Sequence, residues 1–129
     1  MQIKQLANAS GVNAKTIRYY EDIGLLPMAE RNLNGYRVYK QNDVSSLKFI
    51  RRCKDLRMPL ADIQTLVAVQ NDESASCEQV DALILRQLEQ IQIAQAELRL
   101  LEGNLRDLAN CCEYQIVKDC QILQQLRST

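Results

Sequence analysis

No histidine occurs anywhere in the 129 residues. The absence removes the commonest general base and obliges any transition-metal site to rely on sulfur and oxygen. Neither a phosphate-binding glycine loop nor a nucleophile elbow is present, so no enzyme is expected. Apolar runs long enough to cross a bilayer are also missing, and Met1-Gln-Ile-Lys-Gln-Leu6 lacks the apolar centre of a secretory signal. A cytoplasmic protein with no membrane partner is expected. The length suits one compact domain, or a small domain carrying a helical arm, and leaves no room for a second, catalytic domain.

Net charge is absent overall, with 16 basic and 16 acidic residues, yet the two signs are segregated. Residues 1 to 70 carry 11 Lys and Arg against 6 Asp and Glu, for +5, whereas residues 71 to 129 carry 5 against 10, for −5. A basic head on an acidic, solvated arm is the pattern of a polyanion-binding module.

The head has a recognisable order. Ile3, Leu6 and Ala7 have helical apolar spacing, Ser10-Gly11 supplies a tight turn, and Asn13 is placed to cap a second helix that should stop near Gly24. Two short helices about a glycine turn predict a helix-turn-helix. Asn34-Gly35 between strand-forming residues predicts a hairpin over 31–39. Asn42-Asp43 is placed to cap a third helix with Val44, Leu47 and Ile50 inward. After Met58-Pro59 a fourth helix should carry Ile63, Leu66 and Val67. In this arrangement Lys15, Arg18, Tyr19 and Tyr20 on the second helix would meet double-stranded DNA, while Arg31, Tyr36 and Arg37 on the hairpin grip the adjacent backbone. The competing reading makes Ile17 and one of the two tyrosines core residues.

Beyond the polar linker at 71–76 the periodicity changes. Val80, Ile84, Gln87, Ile91, Ala94, Leu98, Leu101, Leu105 and Leu108 alternate in steps of four and three, which predicts one long helix with a single apolar seam. The short tail cannot cover such a seam, so a second copy of the chain is the expected partner. Gln87 costs stability at a seam position but can help to fix register.

Five cysteines in a reducing compartment do not suggest a disulfide framework. Cys53 reads as a small buried side chain. Cys112-Glu-Tyr-Gln-Ile-Val-Lys-Asp-Cys120 instead places two thiols at the ends of a polar segment, beside Cys111 as a spare ligand, and Cys77 stands at the other end of the long helix. This pattern suits a soft-metal sensor. A helix over about 79–110 is on the order of 45 Å long, so Cys77 and the loop cysteines of one chain cannot share an ion. If two helices pair antiparallel, Cys77 of one protomer meets Cys112 and Cys120 of the other.

Thr16-Ile-Arg-Tyr-Tyr-Glu21, Gly24-Leu-Leu26, Gly35-Tyr-Arg-Val-Tyr39, Phe49-Ile-Arg51, the long helix and Cys120-Gln-Ile-Leu123 together resemble the MerR family of metal-responsive transcriptional activators. The resemblance implies a mainly α protein. A winged helix-turn-helix DNA-binding domain over 1–70 is followed by a linker and dimerisation helix over 71–110, paired as an antiparallel coiled coil, and a metal-binding loop and tail over 111–129. It also implies promoter DNA with an overlong spacer, shared with RNA polymerase and bent and undertwisted when the ion binds. Relatives sensing copper(I), silver(I) or gold(I) resemble this chain in loop length but usually carry serine in place of Cys77. Those sensing cadmium, lead, mercury or zinc have cysteine there, and the zinc sensors add a loop histidine. Charge and coordination number favour a divalent soft ion, Cd2+, Pb2+ or Hg2+, over Zn2+ or Cu+. A thiol redox switch through Cys111, Cys112 and Cys120 is the alternative from another class. A drug-responsive relative would need a larger domain after the coiled coil.

Overall fold

A computed structural model describes residues 1–111 and 120–128, with Cys111 described through its backbone alone. In chain order the elements are α1 (Ile3–Ser10), α2 (Ala14–Asp22), β1 (Glu30–Arg31), β2 (Arg37–Val38), α3 (Gln41–Asp55), α4 (Leu60–Gln70), α5 (Glu78–Cys111) and α6 (Gln121–Arg127). They fall into two compact units, Met1–Val80 and Asp81–Thr129.

The first unit is a helix-turn-helix with a wing. Between α1 and α2 the backbone turns at Gly11, whose φ of +76° disfavours a side chain. Its N–H donates to the Ala7 carbonyl at 2.9 Å and so closes α1. Two residues on, Asn13 caps α2, its Oδ1 accepting the Thr16 N–H at 2.8 Å. After α2 the Tyr20 carbonyl accepts from the N–H groups of both Leu25 and Leu26. That reversal returns both leucines to the core. Leu6, Ile17, Leu26, Leu47, Ile50 and Ile63 are fully buried, and α1 packs against both α2 and α3. One residue from each short helix and several from α3 therefore meet in a single apolar centre.

The third helix begins earlier than the sequence suggests. Asn42-Asp43 is not its cap: α3 starts at Gln41 after Lys40, and Asp43 acts from inside the first turn, its Oδ2 accepting the Lys40 N–H at 2.8 Å. An acidic residue serves a helix start from either position, which is why sequence alone misplaces the boundary. Val44, Leu47, Ile50 and Cys53 form the buried face of α3, as expected. The chain leaves α3 through Arg57, at φ +62°, and Pro59 directly precedes α4, where Ile63 and Leu66 are buried.

In the wing, Glu30 pairs with Val38 and Arg31 with Arg37 in antiparallel register. Its loop is wider than a two-residue Asn-Gly turn. The Asn32 N–H donates to the Tyr36 carbonyl at 2.9 Å, leaving Leu33, Asn34 and Gly35 to make the reversal, with Gly35 at φ +80°. A three-residue loop of this kind requires its last residue in the left-handed region. Asn32 Oδ1 holds the loop by accepting the N–H groups of Asn34 and Tyr36, each at 3.0 Å.

The second unit holds most of α5, a helix of 34 residues and so about 50 Å long, together with α6. Among the described residues no helix is long and apolar enough to cross a membrane.

Candidate functional site

Helix α2 and the wing bring three arginines to one place. Arg18, Arg31, Tyr36 and Arg37, with Gln2, Ile3 and Gly35, line an open groove of about 430 Å³. Arg31 is held there by its own loop, Nη1 donating to the Gly35 carbonyl at 2.8 Å. Three arginines around an open groove form an anion seat suited to phosphate oxygens. Lys15 and Tyr19 are exposed on α2 but do not line it. Tyr20 requires a correction: at 6% exposure it belongs to the core rather than to the exposed face of α2 that carries Arg18 and Tyr19. Its place follows from helical spacing, because Tyr20 lies three residues after Ile17 and turns to the same inner face.

Behind the groove lies a polar cluster that the sequence reading did not single out. Glu21 is fully buried, its Oε1 accepts from the Tyr39 hydroxyl, and its Oε2 stands 3.7 Å from Nη1 of Arg37. Burial raises the Tyr39 pKa to about 12, with the hydrogen bond to Glu21 and the negative charge of Glu21 acting in the same direction. The backbone of Tyr39 is tied as well, its carbonyl accepting from the Met1 amine and its N–H donating to the Met1 carbonyl, each at 2.7 Å. A signal for this cluster was available. Glu21 is four residues after the buried Ile17, on the inner face of α2, and Arg37 and Tyr39 are two apart along an extended segment and so share a side.

The apolar seam of α5 is largely open within one chain. Ile84, Leu98, Leu101 and Leu105 are between 43% and 67% exposed, Ala94 is exposed, and Val80, Gln87, Ile91 and Leu108 are half-buried. Leu98, Leu101 and Leu105 line a shallow groove of about 650 Å³ with Glu102 and Arg106, which form an ion pair at 2.8 Å. Leu83, which lies off the seam, is buried.

The cysteines separate by environment. Cys53 is buried on α3, as expected, and burial pushes its thiol pKa up. Cys77 is exposed immediately before α5, and Cys120 is half-buried at the start of α6. Cys111 is the last residue of α5, and Cys112 lies outside the described residues. Among the described residues no three Cys, Asp or Glu side chains gather as a metal cluster.

Known proteins place this architecture. A family model described as "MerR HTH family regulatory protein" matches residues 1–70, and another, "MerR, DNA binding", matches residues 44–108. The mercuric resistance operon regulatory protein of Bacillus cereus is 37% identical over 126 residues, 97% of this chain and 96% of the relative. Among solved structures, the transcription regulator PbrR691 from Ralstonia metallidurans CH34 in complex with lead(II) superimposes with a TM-score of 0.87 at 33% identity, covering 98% of each chain. The dual function regulator MerR from Bacillus megaterium MB1, in complex with mercury(II), gives 0.74 at 34% identity, again over 98% of each. These are regulators of transcription rather than enzymes. A helix-turn-helix with its wing, a long helix beyond it and a match over more than half its length establish that this chain belongs to the MerR family of regulatory proteins.

Proposed function

We propose that the chain is a homodimeric, metal-responsive regulator of transcription that binds promoter DNA through its head, residues 1–70, and activates metal-resistance genes on binding a divalent soft ion through cysteine thiolates. The observation that carries the DNA half is the convergence of Arg18, Arg31, Arg37 and Tyr36 from two separate elements on one groove. Phosphate neutralisation by such residues supplies most of the affinity of a protein for duplex DNA, and Lys15 and Tyr19 extend the same basic face. RNA polymerase is a partner through the promoter that both occupy.

For the arm, residues 71–110, an apolar seam left mostly open in one chain calls for a second copy. The metal half rests on donor chemistry and on relatives. Thiolate sulfur suits lead, mercury and cadmium, the chain has no histidine to offer, and lead(II) and mercury(II) are the ions in the two similar structures. Cys112 and Cys120 of the loop at 111–129, with Cys77 of the partner subunit, are the proposed ligands, and Cys111 is a spare. Exposure of Cys77 fits that role, as burial of Cys53 does not. An ion held this way supplies a cross-link between protomers, so its binding is coupled to dimer geometry.

The test is titration of reduced apo-protein with Pb2+, Cd2+, Hg2+, Zn2+, Cu+ and Ag+, following thiolate-to-metal charge-transfer absorption. Wild type, Cys77→Ser and Cys112→Ser are compared side by side. Divalent ions should give a signal that both substitutions abolish, while DNA binding by the apo-proteins stays as in wild type. Tight binding of Cu+ or Ag+ alone, unchanged by Cys77→Ser, would make this a monovalent-ion sensor instead.

A further inference from the structure

Glu21 is the only charged side chain fully withdrawn from water among the described residues. Burying a carboxylate is costly, and a neutral side chain of similar shape would fill the space with less penalty. Its compensation is also incomplete: Oε1 accepts from Tyr39, but Oε2 has no hydrogen-bond partner among the described residues. The nearest cation is Arg37, 28% exposed, whose Nη1 at 3.7 Å is too distant for a hydrogen bond but well placed for charge attraction. Arg37 thus has one side against a buried anion and the other on the groove shared with Arg18 and Arg31. A long flexible cation tethered from behind loses less rotamer freedom when it meets a phosphate.

We propose that Glu21 is a positioning residue for DNA binding, holding Arg37 of the wing in the orientation in which it meets the phosphate backbone, although Glu21 itself touches no DNA. The inference rests on the reading of Arg37 as a DNA contact. Its consequence runs against simple electrostatics. Deleting a negative charge behind a DNA-binding face should strengthen binding to a polyanion, whereas deleting a charge that orients Arg37 should weaken it.

The experiment is a double-mutant cycle on the full chain, using fluorescence anisotropy with a labelled mixed-sequence DNA duplex at several salt concentrations. The proteins are wild type, Glu21→Gln, Arg37→Ala and the double variant, each checked for folding by a circular-dichroism melt. Glu21→Gln keeps an oxygen for Tyr39 and removes only the charge. It should bind roughly threefold or more weakly than wild type, and should make no further difference once Arg37 is alanine. Arg37→Ala should weaken binding and lower the salt slope by about 0.9, one phosphate contact. Stronger or unchanged binding by Glu21→Gln, beside a weakened Arg37→Ala, overturns the proposal alone, as does an equal loss from Glu21→Gln in both backgrounds. Wild-type behaviour of Arg37→Ala overturns the contact itself and the proposal with it. Should Glu21→Gln fail to fold, Glu21→Asp retains the charge but withdraws it by one methylene, and the same loss confined to the Arg37 background is expected.

Discussion

At the scale of single residues, the head is organised by a few side chains with two tasks each. Tyr39 packs in the core and donates to Glu21, and its proton is held more tightly in the folded chain than in the unfolded one, at about 12 against 10.0. A raised folded pKa contributes stability that is fully present below pH 10 and is lost as pH climbs towards 12. Denaturant unfolding between pH 8 and pH 12 should therefore show wild type losing stability more steeply than Tyr39→Phe, which starts lower at pH 8 because Glu21 loses its hydrogen-bond donor. Parallel pH curves would mean that Tyr39 ionises as freely in the folded chain as in the unfolded one. Sequence alone gave the basic residues of the groove but not this cluster. Glutamate on a short, charged helix reads as solvated surface, and only its four-residue offset from Ile17 marks it as turned inward. Tyr20 is hard to place from sequence for a related reason: only its three-residue offset from Ile17 marks it as turned inward, while Tyr19 beside it stays exposed.

At the scale of elements, the helices were legible because caps and periodicity agree. Asn13 and the Ser10-Gly11 turn place the boundaries of α1 and α2 within a residue or two, and the periodicity that predicts a helix over 79–110 matches α5 at Glu78–Cys111. The start of α3 and the size of the wing loop were not legible. Each depends on which of several short polar side chains takes a given backbone N–H, and Asp43 and Asn32 settle that only in three dimensions. Inside α5, Gly103 has open space where a Cβ would project. Gly103→Ala should stabilise the helix by about 1 kcal/mol, seen as a higher midpoint in a thermal melt. A lower midpoint would reveal something packed closely against Gly103 in solution, and a second copy of the chain would be the first suspect.

For the whole molecule, the proposed dimer rests on the seam of α5. Three leucines more than half exposed along the seam, Leu98, Leu101 and Leu105, bury substantial apolar area only against another surface. Sedimentation equilibrium should give wild type the mass of two chains, and Leu101→Asp, which sets a carboxylate in the middle of that seam, the mass of one. Wild type sedimenting as a single chain would remove the dimer, and with it any metal site that spans two protomers. Charge segregation has a counterpart here, since the groove with its three arginines lies wholly within the +5 half of the chain.

The head keeps its two kinds of residue apart. Leu6, Ile17, Leu47, Ile50 and Ile63 are buried and contribute nothing to the groove, while Lys15, Arg18, Arg31 and Tyr36 are exposed and contribute nothing to the core. In evolutionary terms, a lineage can exchange these surface side chains, and so retune the charge of the groove, without re-solving the folding problem. Glu21, Arg37 and Tyr39 are the exception, because there the packing and the surface are a single set of residues. Drift should be slow at those three positions even where its neighbours on the groove vary freely.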